Sequence, residues 1–420
     1  MSETVKRNNP LFWLIDPMRS TASQADPAYR YSWSQMAWML PLAIGIAGLV
    51  VSAVGWATNP AQFYFSYLIG WAFCLSLTVG AYFFVIIQHL TKARWSVVVR
   101  RIPETLTWSF PLLAVLGIPI LLGMHDLYHW THHDLFDPTS EHYDPILADK
   151  EGYLNTPFFL ARVAFYFIFW TFISFKLYTL SVRQDNDPDP SIPKLQRKYS
   201  AIGLGIGAVV TSFAAFDILM SLDPHWFSTI FGVYFFGGAF MSIMAVMILV
   251  SLVLRNNGML KKEIKVDHFQ DLGKFLFAFT VFWAYIAFSQ YMLIWYGNLP
   301  EETIFFRHRL EHGWGTYSAI LLLGHFVFPF IMLIGRWGKR WLPFLGFMAI
   351  WMLGMQWFDM FWLIKPVMEA DHAALSLYDI SAWFGLFGVF SAAFMYRLSR
   401  HALVPQRDPR LHKSLSFTNS

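Results

Sequence analysis

The sequence predicts an all-α, polytopic membrane protein with ten transmembrane helices and both termini on the cytoplasmic side. Of its 420 residues, 56% are hydrophobic and only 14% are charged, whereas soluble domains carry about 25% charged residues. Ten apolar runs are each long enough to cross a bilayer as a helix. Lys and Arg are distributed unequally between alternate loops, which is typical of membrane proteins with a fixed orientation.

The apolar runs, which we call spans 1 to 10, follow one another along a membrane domain that covers 34–398. A mostly polar arm, 1–33, precedes them, and a polar tail, 399–420, follows them. Since spans 2–5 and spans 6–9 would start from the same face, two four-helix units, 60–222 and 227–363, are compatible with this topology. The predicted spans are 34–57, 60–89, 104–123, 156–180, 201–222, 227–254, 272–296, 313–335, 341–363 and 377–398.

The basic residues predict the orientation. The arm, the loops after spans 2, 4, 6 and 8, and the tail, with the edges of spans 7 and 10, hold 25 of the 31 Lys and Arg residues. The remaining loops hold only Lys150, Arg307, Arg309 and Lys365. The positive-inside rule therefore places both termini in the cytoplasm. Because the basic residues lie in loops between spans, the net charge of +4 does not indicate binding of nucleic acid.

A short corner, 223–226, separates spans 5 and 6, which must therefore be antiparallel neighbours. It places Asp217, Asp223 and His225 at or just inside the outer face. An ionisable side chain inside an apolar helix is costly in lipid and by default indicates a functional site.

Other ionisable residues lie within the spans, and two interpretations of them remain open. Acids in a low dielectric and histidines can exchange protons near neutral pH, which favours a proton path. The alternative is structural: Arg162 neutralises Asp217 or Asp359, Lys176 reaches the headgroups and His325 bonds a carbonyl. The candidate residues are Asp217, Asp359, His325, Asp223, His225, Arg162, Gln290, Lys176, Glu104 and His89.

The sequence predicts no metal and no redox cofactor bound by this chain. The long outer loop 124–155 is rich in His and acidic residues, but the spacing of His129, His132 and His133 matches no zinc signature. We interpret this loop as a docking surface for an extrinsic partner. The single cysteine, Cys74, excludes a cysteine-ligated iron–sulfur cluster and covalently attached haem. Only His325 is deep enough for a transmembrane haem, which normally needs two facing histidines.

Three stretches carry a resemblance to a known family. They are 217–232 (DILMSLDPHWFSTIFG), 271–280 (DLGKFLFAFT) and 282–303 (FWAYIAFSQYMLIWYGNLPEET). They resemble the membrane subunits of bacterial Alternative Complex III, a quinol:electron-acceptor oxidoreductase of the bacterial inner membrane. The chain is most similar to the smaller of the two polysulfide-reductase-type membrane subunits of that complex, which is often labelled quinone-binding subunit 2. The resemblance covers spans 1 to 10.

The resemblance implies two four-helix bundles plus two flanking helices, without a redox cofactor. Quinol would be oxidised on a paralogous membrane subunit, and extrinsic subunits would carry iron–sulfur clusters and haem c. Electrons would then reach a cytochrome c or a terminal cytochrome oxidase. This chain would support the complex and carry protons across or partway across the membrane. The alternatives are a scaffold that docks the extrinsic subunits, a second quinol-binding site, and a transporter that acts alone.

Overall fold

The ten predicted spans are present in the computed structural model, which describes residues 25–32, 34, 36–369 and 371–419. Within these residues the chain is helical, without β-strands, and ten helices are long and apolar enough to cross a membrane. Most of the predicted arm, 1–24 and 33, lies outside the described residues. In order, the spans are Met39–Thr58, Pro60–Leu90, Val97–Leu122, Thr156–Gln184, Ile192–Leu222, Phe231–Asn256, Val266–Gly297, Trp314–Ile334, Leu342–Met368 and Leu377–Leu398.

Several span boundaries differ from the predicted ones, and the difference matters for the charged residues. Span 3 begins at Val97 rather than at 104, so Arg100 and Arg101 lie inside a helix and are buried. Span 9 continues to Met368, so Lys365, predicted in a loop, is also helical and buried. Apolar periodicity cannot detect these turns, because their charges are stabilised by ion pairs with other elements rather than by water.

The spans form two four-helix bundles plus two flanking helices. In the first bundle, span 2 contacts spans 3 and 5, and span 4 contacts the same two. In the second bundle, span 6 contacts spans 7 and 9, and span 8 contacts the same two. The bundles meet where span 6 packs on spans 2 and 5 and where span 9 packs on span 2. Spans 1 and 10 pack on each other and on span 2.

The two faces of the membrane domain are distinguished by their loops. The loop 124–155 joins spans 3 and 4 on one face, which we call the loop face. The tail follows span 10 on the opposite face, which we call the tail face. There the backbone N–H of Leu403 donates to the carbonyl of Tyr29 at 2.9 Å. The described parts of both termini therefore lie together, and their cytoplasmic location remains a prediction.

Span 2 is the central helix, and it packs tightly on span 6 at Gly80. A Cβ atom built on Gly80 would lie 2.0 Å from the carbonyl oxygen of Ala239. We expect Gly80→Ala to lower the free energy of unfolding by about 1–3 kcal/mol, because the backbones must move apart. Thermal unfolding of the purified chain in detergent measures this loss. Gly205→Ala is the control, since its Cβ would have no neighbour within 4 Å, and equal effects of the two changes would contradict the prediction.

Candidate functional site

The two predicted membrane acids lie in different surroundings. Asp217, in the first bundle, is fully buried and pairs with Arg162 of span 4. Arg162 Nε and Nη2 donate to the two carboxylate oxygens at 2.8 and 3.0 Å. The hydroxyl of Tyr166 donates to Asp217 Oδ2 at 2.6 Å. This bidentate geometry is the strongest arrangement for an arginine and a carboxylate, and it matches the structural alternative for Asp217.

The local sequence places this pair at the loop face. The side chain of Asn155 accepts a hydrogen bond from a backbone N–H of the first turn, so span 4 begins at Thr156. Arg162 therefore lies less than two turns inside the helix. The α-helix of span 5 ends at Ile218, which leaves Asp217 in its last turn. Both side chains then point into the same bundle at the same depth.

Asp359, in the second bundle, has no cation beside it. Its side chain is buried and accepts hydrogen bonds from the hydroxyl of Tyr234 and, at 3.2 Å, from Trp283 Nε1. Among the described residues it forms no ion pair. The ring of His325 lies 3.9 Å from that of Trp283, and His325 Nε2 contacts Met241 Sδ at 3.3 Å. The structure thus joins Asp359 and His325 through a shared tryptophan rather than by a direct hydrogen bond.

Two further candidates, Gln290 and Lys176, lie outside both clusters. Gln290 is buried on span 7, two turns from Trp283, and its Oε1 has no hydrogen-bond partner in the described part of the chain. Lys176 is half-buried on span 4, where its ammonium lies 5.6 Å from the ring centre of Phe172. Its position fits a lysine that extends along an apolar surface towards the headgroups.

The corner after span 5 is tied to the loop 124–155. His225 Nε2 shares a hydrogen bond with Asp144 Oδ2, and Lys150 Nζ donates to the carbonyl of Pro224 at 2.7 Å. Burial favours the neutral form of Asp144, but the hydrogen bond with His225 and those from backbone N–H groups outweigh it and lower the pKa of Asp144. His225 therefore pairs with Asp144 rather than with Asp217, while Asp223 lies beside it at the corner. Within 25–32, 34, 36–369 and 371–419, no group of three or more His, Cys, Asp or Glu residues is placed to hold a metal.

The candidates Glu104 and His89 meet in a buried charge cluster near the tail face. Glu104 accepts hydrogen bonds from Arg100 Nε at 2.7 Å and from Ser181 at 2.5 Å. His89 Nε2 lies 3.8 Å from Glu104. Arg100 also pairs with Asp408 of the tail at 2.7 Å. The cluster therefore joins three spans to the tail, and its paired geometry indicates a structural role.

The pair between Arg100 and Asp408 makes folding sensitive to acid. Burial alone would raise the pKa of Asp408, but the guanidinium groups of Arg100 and Arg410 lower it below the ordinary value. Stability from this carboxylate is therefore present above about pH 4, the unfolded pKa, and is lost as the pH falls towards the folded pKa.

We expect Asp408→Asn to lower the free energy of unfolding at pH 7 by about 1.5–3 kcal/mol, because Arg100 loses a charged hydrogen bond. The difference from the wild type should shrink below about pH 4. Thermal unfolding at several pH values measures both effects. Asp187→Asn is the matched control, since its pair with Arg183 is more than one-third exposed and is worth less than about 1 kcal/mol. A difference that stays constant down to pH 3 would contradict the prediction.

No protein-family model matches this chain, and neither does any curated protein. The ten apolar helices show a multi-pass helical membrane protein.

Sequence reasoning missed a buried lysine at the loop face. Lys365 is fully buried, and its Nζ donates to Gln62 Oε1 at 2.5 Å. It lies 3.4 Å from Glu369 and 3.9 Å from Asp379. Asp379 also accepts a hydrogen bond from Ser66 at 2.5 Å. This network fastens spans 2, 9 and 10 together. The available signal was that Lys365 directly follows the apolar end of span 9, where one more helical turn would bring it inside.

In the described part of the chain, the polar side chains that begin at Asp359 do not continue along span 2 to the tail face. Gln356, one turn from Asp359, donates to Ser76 on span 2 at 3.4 Å. From Ser76, His89 lies about 20 Å further along span 2, at 1.5 Å of rise per residue. The hydroxyl groups of Thr78 and Tyr82 in this stretch both donate to backbone carbonyls. The arrangement is therefore compatible with a polar path through the loop-side half of the membrane domain.

Proposed function

We propose that this chain is a membrane subunit of a respiratory quinol:electron-acceptor oxidoreductase of the Alternative Complex III type, in the bacterial inner membrane. The support is the resemblance of three long stretches together with the ten-helix arrangement in two bundles. In this proposal the chain binds no redox cofactor of its own. Quinol, haem c and iron–sulfur clusters are bound by partner subunits, and electrons leave to a cytochrome c or a terminal oxidase.

We further propose that Asp359 carries protons partway across the membrane. The observation that carries this proposal is the contrast between the two acids. Asp217 has a bidentate arginine partner, which indicates a structural role. Asp359 is equally buried, but among the described residues its side chain has only two donors, both neutral. A buried carboxylate without a cation is costly, and a proton neutralises it.

The neighbours of Asp359 supply the other polar groups of this proposed proton path through the loop-side half of the membrane domain. Tyr234 and Trp283 fix the orientation of the carboxyl group. Gln356 and Ser76 extend the polar surface one turn towards the tail face. His325 packs on Trp283 without touching the carboxyl, so in this proposal it positions the tryptophan. The loop-side half of the second bundle therefore exchanges protons with the loop face.

A second candidate function, a quinol site, rests on a cavity beside Asp217. The cavity has a volume of about 350 Å³ and reaches Asp217 between Tyr153, Met220 and Trp226. Ligand pockets fall in the range of about 300–1,000 Å³. The bidentate pair with Arg162 leaves Asp217 fewer free lone pairs for a quinol hydroxyl, so we favour the proton role. Quenching of Trp226 fluorescence by added quinone would support the quinol site instead.

Purification of the tagged chain from its native membranes in mild detergent tests the proposed complex. We expect it to retain subunits with covalent haem and iron–sulfur clusters, and to reduce an acceptor when quinol is added. Haem absorption and iron analysis report the partners, and acceptor reduction reports the activity. A chain that purifies without haem, iron or quinol-dependent activity from membranes that contain all three would contradict the proposal.

A further inference from the structure

A long groove opens sideways from the first bundle towards the lipid. It has a volume of about 1,010 Å³ and is formed by spans 3, 4 and 5. Span 3 creates it because its helix is interrupted, running as Val97–Thr107, Phe110–Leu116 and Ile118–Leu122. Pro111 lies in the first turn of the middle segment; it has no N–H to donate and prevents a continuous helix. Span 3 therefore packs less closely on span 4 than a straight helix would.

The groove has the length and the apolar lining of a site for a lipid acyl chain. Along span 4 it extends from Phe167 to Arg183, about 24 Å at 1.5 Å of rise per residue. Its walls include Ala114, Ile168 and Phe172. Beyond Ala114 and Phe167, which line both spaces, a second apolar cavity of about 160 Å³ continues towards the loop face. The combined cleft covers most of the roughly 30 Å hydrocarbon thickness of a bilayer.

The groove carries polar and cationic groups from its middle to its end near the tail face. Lys176 lines it and forms no ion pair in the described part of the chain. Arg183 lies at the rim, where it pairs with Asp187 at 3.0 Å. The hydroxyl of Ser174, a residue only 2% exposed, also lines the groove and has no hydrogen-bond partner among the described residues. A buried hydroxyl without a partner is unfavourable, so a ligand that accepts its hydrogen bond would stabilise the site.

We propose that this groove binds one anionic phospholipid, with its phosphate at Lys176 and an acyl chain along Phe172 and Ala114. An ester carbonyl of the lipid would accept the hydrogen bond from Ser174. The positive charge of Lys176 favours an anionic headgroup over a neutral lipid or a quinone, because basic pockets between membrane helices bind acidic headgroups. Neither Asp217 nor Asp359 lines the groove, and the proposal does not depend on the proposed respiratory function.

The test is native mass spectrometry of the full-length, delipidated chain titrated with phosphatidylglycerol. Phosphatidylcholine with the same acyl chains and a long-tailed quinone serve as competing probes. We expect the wild type to retain one phosphatidylglycerol more tightly than either competitor. Lys176→Gln should weaken that binding about fivefold, the effect of one basic side chain near an acidic headgroup.

Two further variants separate the charge from the groove. Ala114→Phe should displace the acyl chain and abolish retention without changing any charge. Lys262→Gln removes an exposed lysine of the tail face and should bind like the wild type. If Ala114→Phe does not fold, Lys176→Gln still tests the proposal, because the half-buried Lys176 side chain can be replaced without disrupting the core. Equal binding by Lys176→Gln and the wild type, or tighter binding of the quinone or of phosphatidylcholine, would overturn the proposal.

Discussion

Replacing Arg162 with methionine is expected to lower the free energy of unfolding by about 3–5 kcal/mol. The substitution removes both charged hydrogen bonds to Asp217 and leaves a fully buried carboxylate with Tyr166 as its donor. Methionine keeps most of the side-chain volume, so the loss of stability reflects the missing charge rather than a new cavity. Thermal unfolding in detergent, followed by tryptophan fluorescence, measures the change.

The double variant Arg162→Met with Asp217→Leu is the control for this prediction. It replaces the whole pair by apolar side chains, a change that is often neutral or stabilising. We expect it to recover most of the stability that the single variant loses. The structural assignment of Asp217 would be wrong if Arg162→Met alone were as stable as the wild type.

Replacing Lys365 with methionine is expected to cause a loss of similar size, about 3–5 kcal/mol, because Asp379 would remain buried without a cation. Lys365 Nζ and Asp379 Oδ2 are 3.9 Å apart, and both side chains are fully buried. Span 10 should separate from span 2 first, since Asp379 is the residue of span 10 that bonds to Gln62. Hydrogen exchange of span 10 and thermal unfolding measure the two effects.

Lys262→Met removes the same charge from an exposed site on the tail face. It should change the free energy of unfolding by less than about 1 kcal/mol. If Lys365→Met unfolded at the same temperature as this control, the buried network around Asp379 would have no structural role.

The number of spans could be predicted from the sequence, because each span forms its backbone hydrogen bonds within one apolar helix. Length and hydropathy are then enough to count the helices. It also placed Asp217 and Asp359 at similar depth from the rise per residue. The partners of these acids could not be predicted. Whether Arg162 neutralises Asp217 or Asp359 depends on which helices share a bundle and on how each is rotated about its axis.

The charged helix ends could not be recognised for a related reason. Arg100 and Lys365 resemble loop residues in a hydropathy profile, yet each is fully buried. Each has an acid four residues further along the chain, Glu104 or Glu369, and a second partner on another element, Asp408 of the tail or Asp379 of span 10. A hydropathy window has no access to the pairs with other elements, so it ends each span where the charges begin.

The most direct test of the proposed role of Asp359 is the number of protons moved per electron by the purified complex in liposomes. We expect Asp359→Asn to keep quinol oxidation and subunit composition but to lose the proton movement beyond quinol chemistry. Asp359→Glu, which retains an acid, should preserve that movement. An unchanged proton-to-electron ratio in Asp359→Asn, with electron transfer intact, would contradict the proposal and leave the chain as a structural subunit.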